Sequence, residues 1–331
     1  MAERAGVGIG TVSRVLNDSA GVAEATRVRV RAVMDELGYR PSATARNLSL
    51  GRTQTLGVIA PFFTSPSVVE RLRGIDDVVG RSAYDLTLFN IETLDQRRAA
   101  LRRFARRDRV DGVIVISLPL RPTEVRALHR DGVPIVLVDV AHSLVPNVSI
   151  DDVAGGAMAA GYLLEAGHRD IAFVGDVENN PFAFASSQRR LEGMREVMSA
   201  AGVALPARYV RRGPYGRESA LELTRELLAL RRRPTAIFAA SDVQAFGVLD
   251  AAARAGLAVP GDLSVIGFDD IELAAAIGLT TVRQPLRESG RLGARLLLAA
   301  LDEQTSSTDE PPPGLPALEV VVRRTVSQPV T

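Results

Sequence analysis

The sequence predicts two folds in series. A small all-α helix-turn-helix domain occupies residues 1–40, residues 41–53 form a linker, and residues 54–331 form an α/β domain of two doubly wound lobes. Three observations predict this. Glycines bracket a short amphipathic stretch near the start. From Thr55 onward, short apolar runs alternate with amphipathic helical stretches. That alternation then repeats in a second round. A chain of 331 residues exceeds one ordinary domain, and 46% hydrophobic residues suffice for several cores.

In the first forty residues, Gly6 and Gly8 predict a tight turn, and Thr11–Leu16 reads as one short helix. Val12, Val15 and Leu16 fall at i, i+3 and i+4 and share an apolar face, while Thr11, Ser13 and Arg14 point away from it. The run Gly6-Val7-Gly8-Ile9-Gly10 superficially matches a dinucleotide-binding loop, but that loop needs a buried strand before it, and only Met1–Arg4 precede it. Ala23–Leu37 is the third helix, with Val30, Val33, Met34 and Leu37 as its apolar face and Arg27, Arg29 and Arg31 where a phosphate backbone could be met. Pro41–Leu48 has a proline suited to a first helical turn, but at two turns it is marginal as an isolated helix.

Leu56–Ala60, Leu86–Phe89, Val113–Ile116 and Ile135–Val138 read as parallel strands covered on both faces, followed by Ile171–Val174, Ala236–Ala240 and Ser264–Ile266. Open α/β sheets bind ligands beyond the carboxyl ends of their strands. The polar residues there are Ser117, Asp139, Asp151, Asp176, Ser241, Asp242, Asp269 and Asp270. Each carboxylate can accept hydrogen bonds from two adjacent hydroxyls of a sugar, and Phe62 and Phe63, after the first strand, suit the apolar face of a sugar ring. Asp152, Asp242 and Asp270 read as N-caps of the helices that follow them.

Composition excludes several function classes. No run of eighteen apolar residues exists to span a membrane, and no signal peptide precedes the first motif, which predicts a cytoplasmic protein. Cysteine is absent and the three histidines, His129, His142 and His168, are scattered, so neither metal nor cofactor is expected. No P-loop, nucleophile elbow or close histidine–carboxylate pairing is present to support an enzyme. The net charge is +1, and residues 1–53 carry eight arginines against five acids. All forty basic residues are arginine, which with the abundant alanine reads as genomic base composition. The arginines at 97, 98, 102, 103, 106, 107 and 109 therefore read as a solvated face.

The ordered motifs TVSRVLN at 11–17, Val22, Thr26-Arg27, ELGYRP at 36–41 and Ala45-Arg46-Asn47-Leu48 resemble the lactose-repressor/galactose-repressor (LacI/GalR) family of bacterial transcription regulators. The resemblance implies double-stranded operator DNA as a partner. It is met by Ile9, Gly10, Thr11, Ser13, Arg14, Asn17, Arg27, Ala45 and Arg46, and it makes residues 41–53 a hinge helix and linker, with Leu48 wedged between base steps of the minor groove. It implies a periplasmic-binding-protein-like effector domain whose chain crosses three times between an N-lobe (about 54–152 and 283–316) and a C-lobe (about 153–282 and 317–331). Arg190 matches the arginine of the family's R-x-x-G motif, Asp139 in LVDV and Asp269 in GFDD match effector-contacting positions, and Ser241 stands where the family often has asparagine. With Ser117, Phe62 and Phe63 these are the candidate effector residues.

The expected function is a repressor of carbohydrate-metabolism genes, controlled by a sugar or sugar phosphate bound between the lobes and not an enzyme. The alternatives are a purine-type, corepressor-dependent regulator, or a solute-binding protein, which the missing signal peptide disfavours. The tail carries no leucine heptads, so the assembly expected is a homodimer on a pseudo-palindromic operator. Three departures stand out. Met1 falls at the family's valine position, so the first helix is expected to lack its opening turn. Gly8 replaces the usual serine cap. Ile9 and Gly10, at positions that often read bases, offer no hydrogen bond, although Ile9 suits a thymine methyl.

Overall fold

The computed structural model describes residues 1–16, 21–39, 52–104, 108–130, 132–302 and 314–329. Asn17, Ala45, Arg46 and Leu48, the rest of the 41–51 segment, and the proline-rich connection up to residue 313 lie outside the described residues.

The small domain contains α1 (Ala2–Ala5), α2 (Ile9–Leu16) and α3 (Glu24–Glu36). Gly6 ends α1 in the left-handed conformation at φ 62°, which glycine adopts without steric cost. The helix α2 starts two residues earlier than the apolar pattern suggests, because the Gly8 carbonyl accepts the amides of Thr11 and Val12 at 2.9 and 3.2 Å. Ala5, Val12, Val15, Val30 and Val33 form the core. Leu37 falls on the same sequence face but lies at the end of α3 and is 40% exposed, so it adds little to that core.

The N-lobe sheet runs β2-β1-β3-β4-β5, all parallel, from β1 (Thr55–Pro61), β2 (Asp85–Ile91), β3 (Gly112–Ile116), β4 (Ile135–Val138) and β5 (Asn147–Val148). Its helices are α4 (Pro66–Val79), α5 (Leu94–Phe104) and α6 (Pro122–Arg130). The C-lobe contains α7 (Asp152–Glu165), β6 (Ile171–Asp176), α8 (Ser186–Ala200), β7 (Val210–Gly213), α9 (Arg217–Leu228), β8 (Ala236–Ala239), α10 (Asp242–Arg254), β9 (Ser264–Asp269), α11 (Glu272–Ile277) and β10 (Thr280–Arg283). The chain then enters α12 (Leu286–Asp302), which packs on α4 in the N-lobe, and β11 (Glu319–Val321) pairs antiparallel with β10. The C-lobe order is β11-β10-β9-β8-β6-β7. β3 and β4 are buried along their whole length, as expected for strands covered by helices on both faces.

Both lobes are locked by the same device. In the C-lobe, α7 and α8 approach so closely that a Cβ on Gly156 would land on the Arg190 carbonyl oxygen, and one on Gly193 would land on the Val153 carbonyl oxygen. In the N-lobe, a Cβ on Gly74 would land on the Arg287 carbonyl oxygen and one on Gly290 on that of Arg71. In each crossing an arginine stands three residues before a glycine, Arg71…Gly74 on α4 and Arg190…Gly193 on α8. The tight crossing fixes the helical turn from which the arginine projects.

Candidate functional site

The carboxyl ends of the two sheets face one cleft of about 350 Å³, within the range of small-ligand pockets. The N-lobe contributes Phe62 after β1, Ser117 after β3, Asp139 after β4 and Arg71 from α4. The C-lobe contributes Asp176 and Asp269 at the ends of β6 and β9, Ser241 after β8, and Arg190 from α8. Thus six of the seven residues singled out from the sequence, Phe62, Ser117, Asp139, Arg190, Ser241 and Asp269, line one cavity. Phe63 lies outside it, 37% exposed, its amide held by Asn90 Oδ1 at 3.1 Å.

Four of the six adopt left-handed backbone: φ is 44° at Phe62, 54° at Ser117, 71° at Asp139 and 127° at Asp269. Side-chain-bearing residues pay of order 1–3 kcal/mol for such conformations, which persist where surrounding contacts dictate them. Here the chain turns sharply off each strand end and aims the side chain into the cleft.

A continuous polar chain joins the lobes. Ser117 Oγ donates to Asp139 Oδ2 at 2.7 Å, and Arg71 Nη2 donates to Asp139 Oδ1 and to Gln284 Oε1, the latter at 3.1 Å. Gln284, in the passage from β10 to α12, donates through Nε2 to Asp269 Oδ1 at 2.5 Å. Arg190 Nη1 stands 3.9 Å from Asp269 Oδ1, its Nε donates to Asp152 Oδ1 at 2.9 Å, and its Nη1 donates to the Ala240 carbonyl at 2.6 Å. The Arg190 guanidinium also lies 3.6 Å over the centre of the Phe268 ring. Ser241 caps α10 by accepting the Gln244 amide at 3.2 Å, and Gln244 Nε2 donates to Asp176 Oδ1 at 2.9 Å.

Sequence reasoning missed Arg71, Asp152, Gln244 and Gln284. One signal was available: Arg71-Leu72-Arg73-Gly74 repeats the R-x-x-G spacing of Arg190. The glutamines carry no charge pattern to betray them. The three expected caps are also corrected. Asp151, not Asp152, caps α7, accepting the Val153 and Ala154 amides at 3.0 Å each, which leaves Asp152 to Arg190. Asp242 is fully buried, accepting from the Ile271 amide at 3.0 Å and Thr281 Oγ1 at 2.5 Å. Asp270 accepts from Arg283 Nε at 2.7 Å and Arg323 Nη2 at 2.6 Å. In the first two cases the preceding residue holds the cap, and the following aspartate turns inward to bind another element.

Burial pushes the Asp176 carboxyl up to about 6, partly offset by Arg190 and Gln244. Burial also raises Asp152 and Asp269, against the pull of Arg190. A carboxyl whose folded pKa lies above its unfolded value of 3.8 costs stability above pH 6, and that cost fades as pH falls from 6 towards 4. The ligand-free protein should therefore melt higher at pH 5 than at pH 7.5, and Asp176→Asn should remove part of that gain. An equal pH response in the variant, measured by calorimetry, would remove Asp176 as a contributor.

On the small domain, α2 exposes Ile9, Gly10, Ser13 and Arg14, with Thr11 half-buried, while Val12 and Val15 face the core. Arg27 on α3 is half-buried, its Nε 3.7 Å from Glu24 Oε2. The helix α2 thus turns one apolar face into the core of a compact three-helix unit and leaves Ile9, Gly10, Ser13 and Arg14 on its outer face.

Residues 1–42 match the family model for bacterial regulatory proteins of the lacI family, and residues 160–326 match that for a periplasmic binding protein-like domain. The ribose operon repressor of Escherichia coli (strain K12) is 35% identical over 311 residues, covering 92% of this chain and 93% of that protein. The chain belongs to the LacI family. Among solved structures, the lac repressor dimer bound to operator and the anti-inducer ONPF aligns with a TM-score of 0.82 at 26% identity, covering 98% of this chain and 97% of that one. The transcriptional regulator CelR in complex with cellobiose aligns with a TM-score of 0.72 at 31% identity, covering 98% of both chains. As a LacI-family protein the chain is a DNA-binding transcriptional regulator, and its relatives are repressors rather than enzymes. Among the described residues no helix is long and apolar enough to cross a membrane, and no group of histidines and acids could hold a metal.

Proposed function

We propose that this protein represses carbohydrate-metabolism genes from the cytoplasm. It would bind a pseudo-palindromic operator as a homodimer and respond to a small sugar held between its lobes. Residues 1–40 read the major groove, 41–53 act as the hinge with Leu48 as the minor-groove wedge, and 54–331 bind effector and partner subunit. The observation that carries this reading is Ile9, an apolar side chain left 81% exposed on the first turn of a helix whose other face is core. Such exposure suits contact with a thymine methyl. Support for the sugar comes from the cleft, where Asp139, Asp176 and Asp269 supply carboxylate acceptors and Phe62 lines the same cavity. The buried Arg71 and Arg190 already face carboxylates, which favours an uncharged sugar over a sugar phosphate.

Fluorescence anisotropy with DNA from upstream of the protein's own gene tests the reading. Binding is expected to weaken steeply as salt rises, and one sugar from a neutral panel is expected to change the affinity. Arg14→Ala should weaken binding and flatten the salt slope by about one unit. Binding independent of salt, or no binding with any sugar, would refute the proposal.

A further inference from the structure

The segment between β6 and α8 belongs to the C-lobe by chain order but packs on the N-lobe. Phe182 and Phe184 rest against the N-lobe cluster that contains Ile59, Ile91, Leu118 and Leu120. The Phe182 ring meets Phe62 edge to face, with centroids 5.8 Å apart and planes at 84°, and stacks on Phe184 at 5.4 Å and 18°. Asn180 fixes this shape. Its Nδ2 donates to the Phe184 carbonyl at 2.8 Å, and its Oδ1 accepts the amides of Phe182 and Phe184 at 3.1 and 2.9 Å. Ala183 between the two rings is left-handed at φ 60°.

Phe184 lines the same cleft as the polar chain, as does Phe62, whereas Phe182 is not among the lining residues. We propose that residues 180–184 form an aromatic clasp. It supplies one wall of the ligand cleft through Phe184, and through Phe182 and Phe62 it holds the two lobes together. Separating the lobes exposes both rings to water, so the clasp favours the closed arrangement before any ligand arrives. A ligand lying on Phe62 and Phe184 adds contacts that exist in the same closed arrangement, so it shifts the population further that way. Phe182 thereby sets ligand affinity without touching ligand. It is a positioning residue, and Asn180 positions the rings. The ligand half of this inference rests on the sugar-effector reading above; the lobe-holding half does not.

The absence of cysteine makes the test direct. Nitroxides on Arg126→Cys and Arg195→Cys, exposed positions on α6 of the N-lobe and α8 of the C-lobe, report lobe separation by pulsed electron paramagnetic resonance. With the native clasp and no sugar, one short distance should dominate. Phe182→Ala should move population to longer distances, and Phe182→Leu should restore part of it. Asn180→Ala, which keeps both rings, should lengthen the distances as well. Calorimetric titration with D-ribose and cellobiose should give affinity about tenfold weaker in Phe182→Ala, corresponding to about 1.4 kcal/mol. An unchanged distance distribution in Phe182→Ala overturns the clasp, even where the melting temperature falls, because the ring would then only stabilise the fold. If neither sugar binds any form, the sugar reading loses support while the distances still decide the clasp.

Discussion

Gly193→Ala is expected to destabilise the C-lobe by about 3 kcal/mol or more and to lower its melting temperature by about 6–12 °C. The methyl would land on the Val153 carbonyl oxygen and crowd the Ala157 amide nitrogen 2.7 Å away, so the obstacle is backbone and cannot rotate aside. α7 and α8 must separate, and with them Asp152 and Arg190, which stand on either side of this crossing. Effector affinity should therefore fall together with stability. Gly161, on the same α7, provides an internal control: its added methyl meets only the Val197 Cγ2 at 4.0 Å. Gly161→Ala should leave the lobe unchanged or stabilise it by up to about 1 kcal/mol, the ordinary helix gain. Denaturant melts of both variants give the comparison. Similar stabilities for the two would mean that α7 and α8 can part at Gly193 at little cost.

Arg190→Met should cost about 3–5 kcal/mol at pH 7.5, the usual result of removing one partner from a buried charge group. Methionine keeps an apolar stem against Phe268 but abandons Asp152, Asp269 and the Ala240 carbonyl. The sign with pH follows from the carboxylates. Burial already raises Asp152 and Asp269, and Arg190 is the largest of the groups that oppose the rise, ahead of Arg71 at both and of Gln284 at Asp269. Without it their folded pKa values move further above the unfolded 3.8, and the cost is greatest above them. The deficit relative to the native protein should shrink as pH falls from 7.5 to 5, when the acids take up protons. Melts at the two pH values check this, and a deficit that does not change with pH would assign the loss to packing instead of charge.

Much of the architecture was legible because parallel strands buried on both faces must be apolar throughout, as Val113–Ile116 and Ile135–Val138 are. Strand ends were equally legible, since a polar residue directly after such a run, such as Ser117 or Asp139, has the cleft to face. Adjacent aspartates were not. In Asp151-Asp152 either residue could hold the helix start, and only the turn geometry gives the cap to the first and the arginine to the second. Gln244 and Gln284 bind carboxylates through neutral amides that leave no pattern in the chain. Phe184 reaches the cleft through a loop whose shape depends on Asn180, and no periodicity encodes that.

The paired glycine crossings have a mechanical consequence. At Gly156–Arg190 and Gly193–Val153 in one lobe, and at Gly74–Arg287 and Gly290–Arg71 in the other, main chain bears directly on main chain with no side chain between to yield. Each lobe is thus a stiff plate along the edge that carries its cleft arginine. Compliance is left to the passages between plates, among them Ser149–Asp151 and Gln284-Pro285. A ligand that drew the two cleft walls together would find neither helix pair free to bend, so the motion left to it would be a turn of one plate against the other, as a lever.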